Sequence, residues 1–228
     1  MTRQDVLQRI ADVGLVPVVR AESAQEAIQV VDAIREGGVS VFEITMTVPG
    51  AMAVMEQVSR RFGADALVGA GTVLDAETAR ACILAGARFV VGPTLDRGTI
   101  EVCRRYSVPV MPGALTPTEV LAAWTAGADV VKVFPCGALG GASYIKSLKA
   151  PLPQIEMIPT GGVSVKTAAD FIRAGSLALG VGADLVDTRA IREGQARLVT
   201  EKAREYLRIV REARAPAPAP SGPAPPAP

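Results

Sequence analysis

GGVSVFEIT (residues 37–45), AGARFVVGP (85–93), AGADVVKVFP (126–135) and AGSLALGVG (174–182) each place a glycine just ahead of a short, Val-rich run. The glycines, Gly38, Gly86, Gly127 and Gly175, recur roughly two βα units apart, with one further unit between successive echoes. Working outward from these four runs gives eight strand candidates: 16–21, 41–45, 67–72, 89–93, 108–112, 130–135, 157–160 and 178–181. Amphipathic stretches separate them, such as SAQEAIQVVDAIREG (23–37), DAETARACILAG (75–86) and TPTEVLAAWTAG (116–127). Each opens on Ser, Asp or Thr, and each closes on Gly, as helix N-caps and C′ positions require.

Strands alternating with helices predict an α/β fold with a parallel sheet. Eight units favour a single closed (β/α)8 TIM barrel, although an open doubly wound sheet is compatible with the count. The chain has 228 residues, 49% of them hydrophobic and only 4% aromatic, so the core must be built from Val, Ala, Leu and Ile. That mixture suits strands covered on both faces. MTRQDVLQRIADVG (1–14) reads as an N-terminal amphipathic helix, so the barrel domain is expected over 1–213. Residues 214–228 end in APAPAPSGPAPPAP, which predicts a disordered Pro/Ala-rich tail.

Composition also removes whole classes of chemistry. There is no histidine, which excludes a Ser-His-Asp triad and His-rich zinc sites. Acid–base work must fall to Glu, Asp, Lys, Tyr, Cys or water. Cys82, Cys103 and Cys136 are odd in number and widely spaced, which predicts neither disulfides nor a metal cluster and suits a reducing cytoplasm. Net charge is +1, so no global field draws the chain to nucleic acid or an anionic membrane, and no apolar run is long enough for a span.

Within this frame two charges stand out. Lys132 interrupts the apolar run ADVVKVFP, where period-2 alternation puts Val130, Lys132 and Phe134 on one side and Val131 and Val133 on the other. In a closed barrel both sides are covered, and burial of an ammonium favours the free amine that Schiff-base chemistry needs. A lysine reaching solvent, or neutralised by a carboxylate, is the plainer reading. Glu43 shares one side of its strand with Val41 and Thr45, again among apolar neighbours. It reads either as half of a structural Lys–Glu ion pair or as a proton shuttle toward the C-terminal end of a barrel, where active sites form.

Two glycine-rich turns follow strands. GAGTVLDAET (69–78) puts Thr72 at the end of the third, and IPTGGVSVKTAA (158–169) leads through Gly161-Gly162 into a helix. A Gly-Gly turn at a helix N-terminus offers bare backbone N–H groups to an anion. GVGADLV (180–186) would complete that cup with Gly182 and Ala183. Arg20 ends the first strand, placed to clamp a carboxylate or phosphate or to be a surface cation. Trp124 is expected to pack in the outer helical layer, and Cys136, near the site, has no evident basic partner.

EITMT (43–47), GAGTV (69–73), VKVFP (131–135) and PTGGV (159–163), in this order, resemble the 2-keto-3-deoxy-6-phosphogluconate aldolases, a family that includes enzymes cleaving 4-hydroxy-2-oxoglutarate. The resemblance spans roughly residues 5–210. It implies a homotrimeric barrel, reversible cleavage of a 2-oxo acid to pyruvate and an aldehyde, a place in Entner–Doudoroff carbohydrate metabolism, and neither metal nor cofactor. It implies Lys132 as the Schiff-base lysine and Glu43 as the general acid/base. Thr72 and Thr160 would hold the pyruvate end, Phe134 would pack beside the lysine, and Gly161 and Gly162 would lie on the phosphate side. Two positions depart from a common family pattern: Thr47 stands where an arginine grips the pyruvate carboxylate, and Ala183 where a phosphate-binding serine often stands. Thr47 and Arg20 are then the candidates for the carboxylate.

Two other readings stay open at this point. A phosphosugar isomerase or epimerase could use Glu43 as base without a covalent adduct. A non-catalytic trimeric scaffold would need neither charge.

Overall fold

In the computed structural model, which describes residues 1–215, nine strands alternate with ten helices among the described residues. The chain runs α1 (Arg3–Val13), β1 (Leu15–Val19), α2 (Ala24–Glu36), β2 (Val41–Thr45), α3 (Ala51–Phe62), β3 (Leu67–Gly71), α4 (Ala76–Leu84) and β4 (Phe89–Val91). It continues through α5 (Arg97–Arg105), β5 (Val110–Met111), β6 (Gly113–Ala114), α6 (Pro117–Ala126), β7 (Val131–Val133) and α7 (Ala142–Lys149). The last elements are β8 (Met157–Pro159), α8 (Ala168–Arg173), β9 (Leu179–Val181), α9 (Thr188–Arg192) and α10 (Ala196–Arg214).

The helices start where their side chains can satisfy free backbone donors. Ser23, Asp75 and Thr116 each accept from an N–H three residues on, and Gly127 ends α6 in the left-handed conformation. All strand pairs are parallel. They form a six-stranded sheet in the order β5-β4-β3-β2-β1-β9 and a three-stranded sheet in the order β6-β7-β8. The expected α/β parallel architecture is met. The expected single continuous ring appears instead as these two sheets, touching at a Thr160–Gly180 bridge and a Leu177 N–H to Met157 O bond of 3.0 Å.

The break at the other seam has a local cause. The strand expected over 108–112 falls into two dipeptides on either side of Pro112, which has no N–H to give. Its carbonyl still accepts from Lys132 N at 2.9 Å, so the polypeptide bends across the gap without parting from β7. Expected strand ends at Pro93 and Pro135 retreat to Val91 and Val133 for the same reason.

Alternation along the strands separates two cores. Val16, Val41, Leu67, Phe89, Met111, Val130, Ile158 and Ala178 meet inside the sheet, while Phe42, Ile44, Val131 and Val133 face the helices. The side chains at 130 and 131 therefore point to opposite layers, as the period-2 reading requires. Helix α1 closes the inner core from the end where strands begin, burying Val6 and Ile10 against it. Thr2 and Asp5 form its capping box, and Arg3 ties it to Asp129 at 2.7 Å.

Two expectations at the periphery change. Trp124 remains 36% exposed on α6 rather than packing in the helical layer. Arg214, assigned to the tail, is the last residue of α10 and donates to Asp12 O and Leu177 O at 3.2 and 2.7 Å. The rest of the Pro/Ala-rich tail, from 216 onward, lies outside the described residues. No helix among the described residues is long and apolar enough to cross a membrane.

Candidate active site

Lys132 and Glu43 stand on strands from different sheets and meet on the inner side, one layer above Val130 and Val41. Both occupy the middle of their strands, deeper than the strand ends the sequence suggested. Their side chains are 6% and 3% exposed, and Lys132 Nζ lies 3.9 Å from Glu43 Oε1. That separation is an ion-pair contact but too long for a direct hydrogen bond. Glu43 Oε1 is fully buried and has no hydrogen-bond partner.

This matters for the plainer reading of the pair. A structural ion pair needs close geometry and satisfied lone pairs to offset the loss of hydration. Here one carboxylate oxygen is left over. Burial pushes the Glu43 carboxyl above its usual range, against the opposing pull of the Lys132 and Arg20 charges. The group is thus held so that a proton is easily kept, and it sits beside an amine.

The room for Glu43 comes from β3. Its carboxylate occupies the space that a side chain at position 71 would fill, so Gly71 is demanded by the acid, not by a turn. The next residue, Thr72, is forced into the left-handed region with φ of 58°, a strain of roughly 1–3 kcal/mol for a non-glycine residue. On the opposite flank the Phe134 ring centroid is 5.4 Å from Lys132 Nζ, within cation–π range.

Beside Phe134 opens a cavity of about 450 Å³. It gathers Arg20, Phe134, Thr160, Gly161, Gly162, Gly182 and Ala183 from the sequence candidates, and adds Val18, Gly180, Asp184, Val186 and Thr188. Thr47 and Thr72 do not border it. Thr45 spends its single hydroxyl proton on Val19 O at 3.0 Å, so the 2.7 Å contact between Thr45 and Thr47 uses the proton of Thr47. Thr47, itself exposed, thereby turns its hydroxyl to Thr45, while Arg20 is the only cation on the cavity wall among the described residues.

The Gly-Gly turn is built by close approach. Gly161 and Gly162 have φ of 83° and 81°, and a side chain at 162 would collide with the backbone of Gly137. Gly137 N–H donates to Gly161 O at 2.8 Å, pinning the turn to the segment after β7. One expectation fails here: the turn does not open a helix. Five residues intervene, bent around Thr167, whose hydroxyl accepts from Ser164 N, and α8 begins only at Ala168. The N–H groups of Gly161, Gly162, Gly182 and Ala183 have no protein acceptor among the described residues, so the backbone offers donors without a helix behind them.

Cys136 is buried nearby, its thiol 3.6 Å from Gly141 O and pushed up to about 11 by burial, which leaves it a poor nucleophile. Sequence reading missed Gly71, Gly180 and Asp184. The signal for Gly71 lay in GAGTV, where a glycine inside a strand marks a close approach. Gly180 plays a similar part, because Thr160 Oγ1 lies where its side chain would be.

Known proteins resemble this chain along most of its length. A family model described as KDPG and KHG aldolase matches residues 6–202. The chain is 31% identical over 205 residues to the 2-dehydro-3-deoxy-phosphogluconate aldolase of Treponema pallidum, covering 90% of this chain and 97% of that protein. It is 34% identical to the 2-dehydro-3-deoxy-6-phosphogalactonate aldolase of Escherichia coli, covering 87% and 95%. Among solved structures, it superposes with a TM-score of 0.80 on a KDPG aldolase from Legionella pneumophila with pyruvate captured as a covalent carbinolamine intermediate; there the identity is 28% and the coverage 87% and 96%.

Proposed function

The chain belongs to the KDPG and KHG aldolase family, and from that premise we propose that it is a Schiff-base lyase. Its substrate on this reading is 2-keto-3-deoxy-6-phosphogluconate, cleaved reversibly to pyruvate and glyceraldehyde 3-phosphate. The shorter 4-hydroxy-2-oxoglutarate would give pyruvate and glyoxylate. The observation that carries the reading is the buried Lys132–Glu43 pair, with one carboxylate oxygen unsatisfied and the carboxyl held above its usual range.

Lys132 Nζ attacks C2 of the 2-oxo acid to form a carbinolamine. Glu43 gives a proton to the departing hydroxyl as the iminium forms, then takes one from the C4 hydroxyl as the C3–C4 bond breaks. The electron pair is held as an enamine on C3, the aldehyde leaves, and protonation at C3 followed by hydrolysis releases pyruvate and the free lysine. Thr72 and Thr160 hold the pyruvate end, and Phe134 packs beside the nitrogen. The far end of the substrate enters the cavity, where Arg20 and the free N–H groups of Gly161, Gly162, Gly182 and Ala183 receive its phosphate. Arg20 lies on the phosphate side, and it offsets the hydroxyl missing at Ala183. No metal or cofactor takes part in this scheme. The same reading has the two sheets acting as one closed (β/α)8 barrel, with the chain a cytoplasmic homotrimer.

Borohydride reduction with pyruvate tests it. The expected outcome is irreversible inactivation and one reduced pyruvate on Lys132 by peptide mapping, with no effect of chelators on turnover. An adduct at Lys146 or Lys149, or none, would sink the assignment. The absence of any adduct is what an isomerase or epimerase on the same scaffold requires.

A further inference from the structure

The loop after β9 has a tie to the molecule's outer layer that the chemistry above does not use. Tyr206, midway along α10, is completely buried, the bulkiest side chain to be so among the described residues. Its hydroxyl donates to Asp184 Oδ2 at 2.6 Å. Lys202 Nζ, one helical turn earlier, lies 3.8 Å from the same oxygen. Asp184 follows Ala183 directly and lines the cavity.

The turn is otherwise closed on itself. Leu185 N and Val186 N both donate to Gly182 O, at 3.0 and 2.9 Å, so the Ala183 N–H of the same trans peptide unit points the opposite way. Asp184 is the side chain by which this turn is bonded to α10. A packing role alone would be served by phenylalanine, since burying a hydroxyl is costly unless it is bonded. A carboxylate at the rim of an anion site is likewise a liability unless something draws its charge outward, and Tyr206 and Lys202 do so from the far side.

We propose that Tyr206 is a positioning residue: through its hydrogen bond to Asp184 it fixes the Gly182–Ala183 turn in the shape that receives the substrate's phosphate, and so sets the preference for phosphorylated over short substrates. The inference rests on the cavity being the phosphate end, as proposed above. Tyr206→Phe keeps the ring and removes only the bond. It should raise KM for the phosphorylated substrate about three- to tenfold, the scale of one hydrogen bond to a charged group left partly replaced by water. Inorganic phosphate should weaken as a competitive inhibitor by the same factor. The kcat values and the KM for 4-hydroxy-2-oxoglutarate should stay as in wild type.

In an Asp184→Ala background Tyr206→Phe should raise KM no further, because the bond it removes is already gone. Asp184→Asn, which keeps an acceptor oxygen, should not raise KM for the phosphorylated substrate. Unchanged KM values in Tyr206→Phe would overturn the proposal, as would a loss shared equally by both substrates together with kcat. If the wild type itself neither prefers the phosphorylated substrate nor responds to inorganic phosphate, the assignment of the cavity fails first and takes this inference with it.

Discussion

Glu43 concentrates the conflict between stability and chemistry in this chain. Its carboxyl is raised above the usual value of 4.5 by burial, so the folded state binds more protons than the unfolded one in the window just above that value. Its contribution to stability is therefore fully present below pH 4.5 and declines as pH rises through the folded value. Glu43→Gln should flatten this decline in denaturant titrations run upward from pH 4.5, and an unchanged slope would contradict the buried carboxyl. The same variant should cut turnover by about a hundred- to ten-thousandfold, the range for a lost general acid/base, while still permitting slow trapping of pyruvate on Lys132. Gly71 belongs to the same argument. Gly71→Ala should displace the carboxylate and lower kcat about a hundredfold, the cost of misplacing a catalytic group by about an ångström. Normal turnover in that variant would show that Glu43 has somewhere else to go. The two charges themselves were legible in the sequence, because a lysine and a glutamate inside Val-rich runs have few structural excuses. Gly71 was legible only as a close approach, because nothing in GAGTV says which neighbouring strand sends a side chain into the gap.

At the scale of elements, the Val-rich runs and their capped helices were readable because period-2 alternation and N-cap chemistry are local. The inward and outward sets on β2 and β7 follow the pattern residue by residue. What was not local was misread. Pro112 divides a strand whose residues on both sides favour extension, and the run after Gly162 bends around Thr167 before α8 can start. Trp124 was placed by its position on a helix, and α6 leaves it at the surface. Helix α1 gives a direct test of element-level packing. Ile10 is fully buried in the inner core, so Ile10→Ala should destabilise the protein by about 2–5 kcal/mol, read from denaturant melts. A loss below about 1 kcal/mol would mean that α1 covers the inner core without supporting it.

For the whole molecule, the reading of eight βα units on one sheet system held at the level of a parallel α/β fold, with the ring interrupted where Pro112 bends the chain. The trimer is a claim about surfaces, and residue patterning within one chain says little about them. Light scattering on the full chain should return three times the 23.6 kDa protomer mass. Removing residues 216–228 should leave the threefold stoichiometry, the melting temperature and kcat/KM unchanged, since α10 already ends in its own contacts at Arg214. A smaller species after truncation would give the tail a role in assembly.

Those contacts of Arg214 have a practical corollary. Asp12 and Leu177, which receive its guanidinium, precede β1 and β9, whereas most of the residues lining the cavity follow β8 and β9. Anything genetically joined at Ala215, in place of residues 216–228, starts from the end of the molecule where β1 and β9 begin, on the side away from the cavity. Attaching cargo there, or tethering the enzyme to a solid support by that end, leaves the route for small molecules unobstructed.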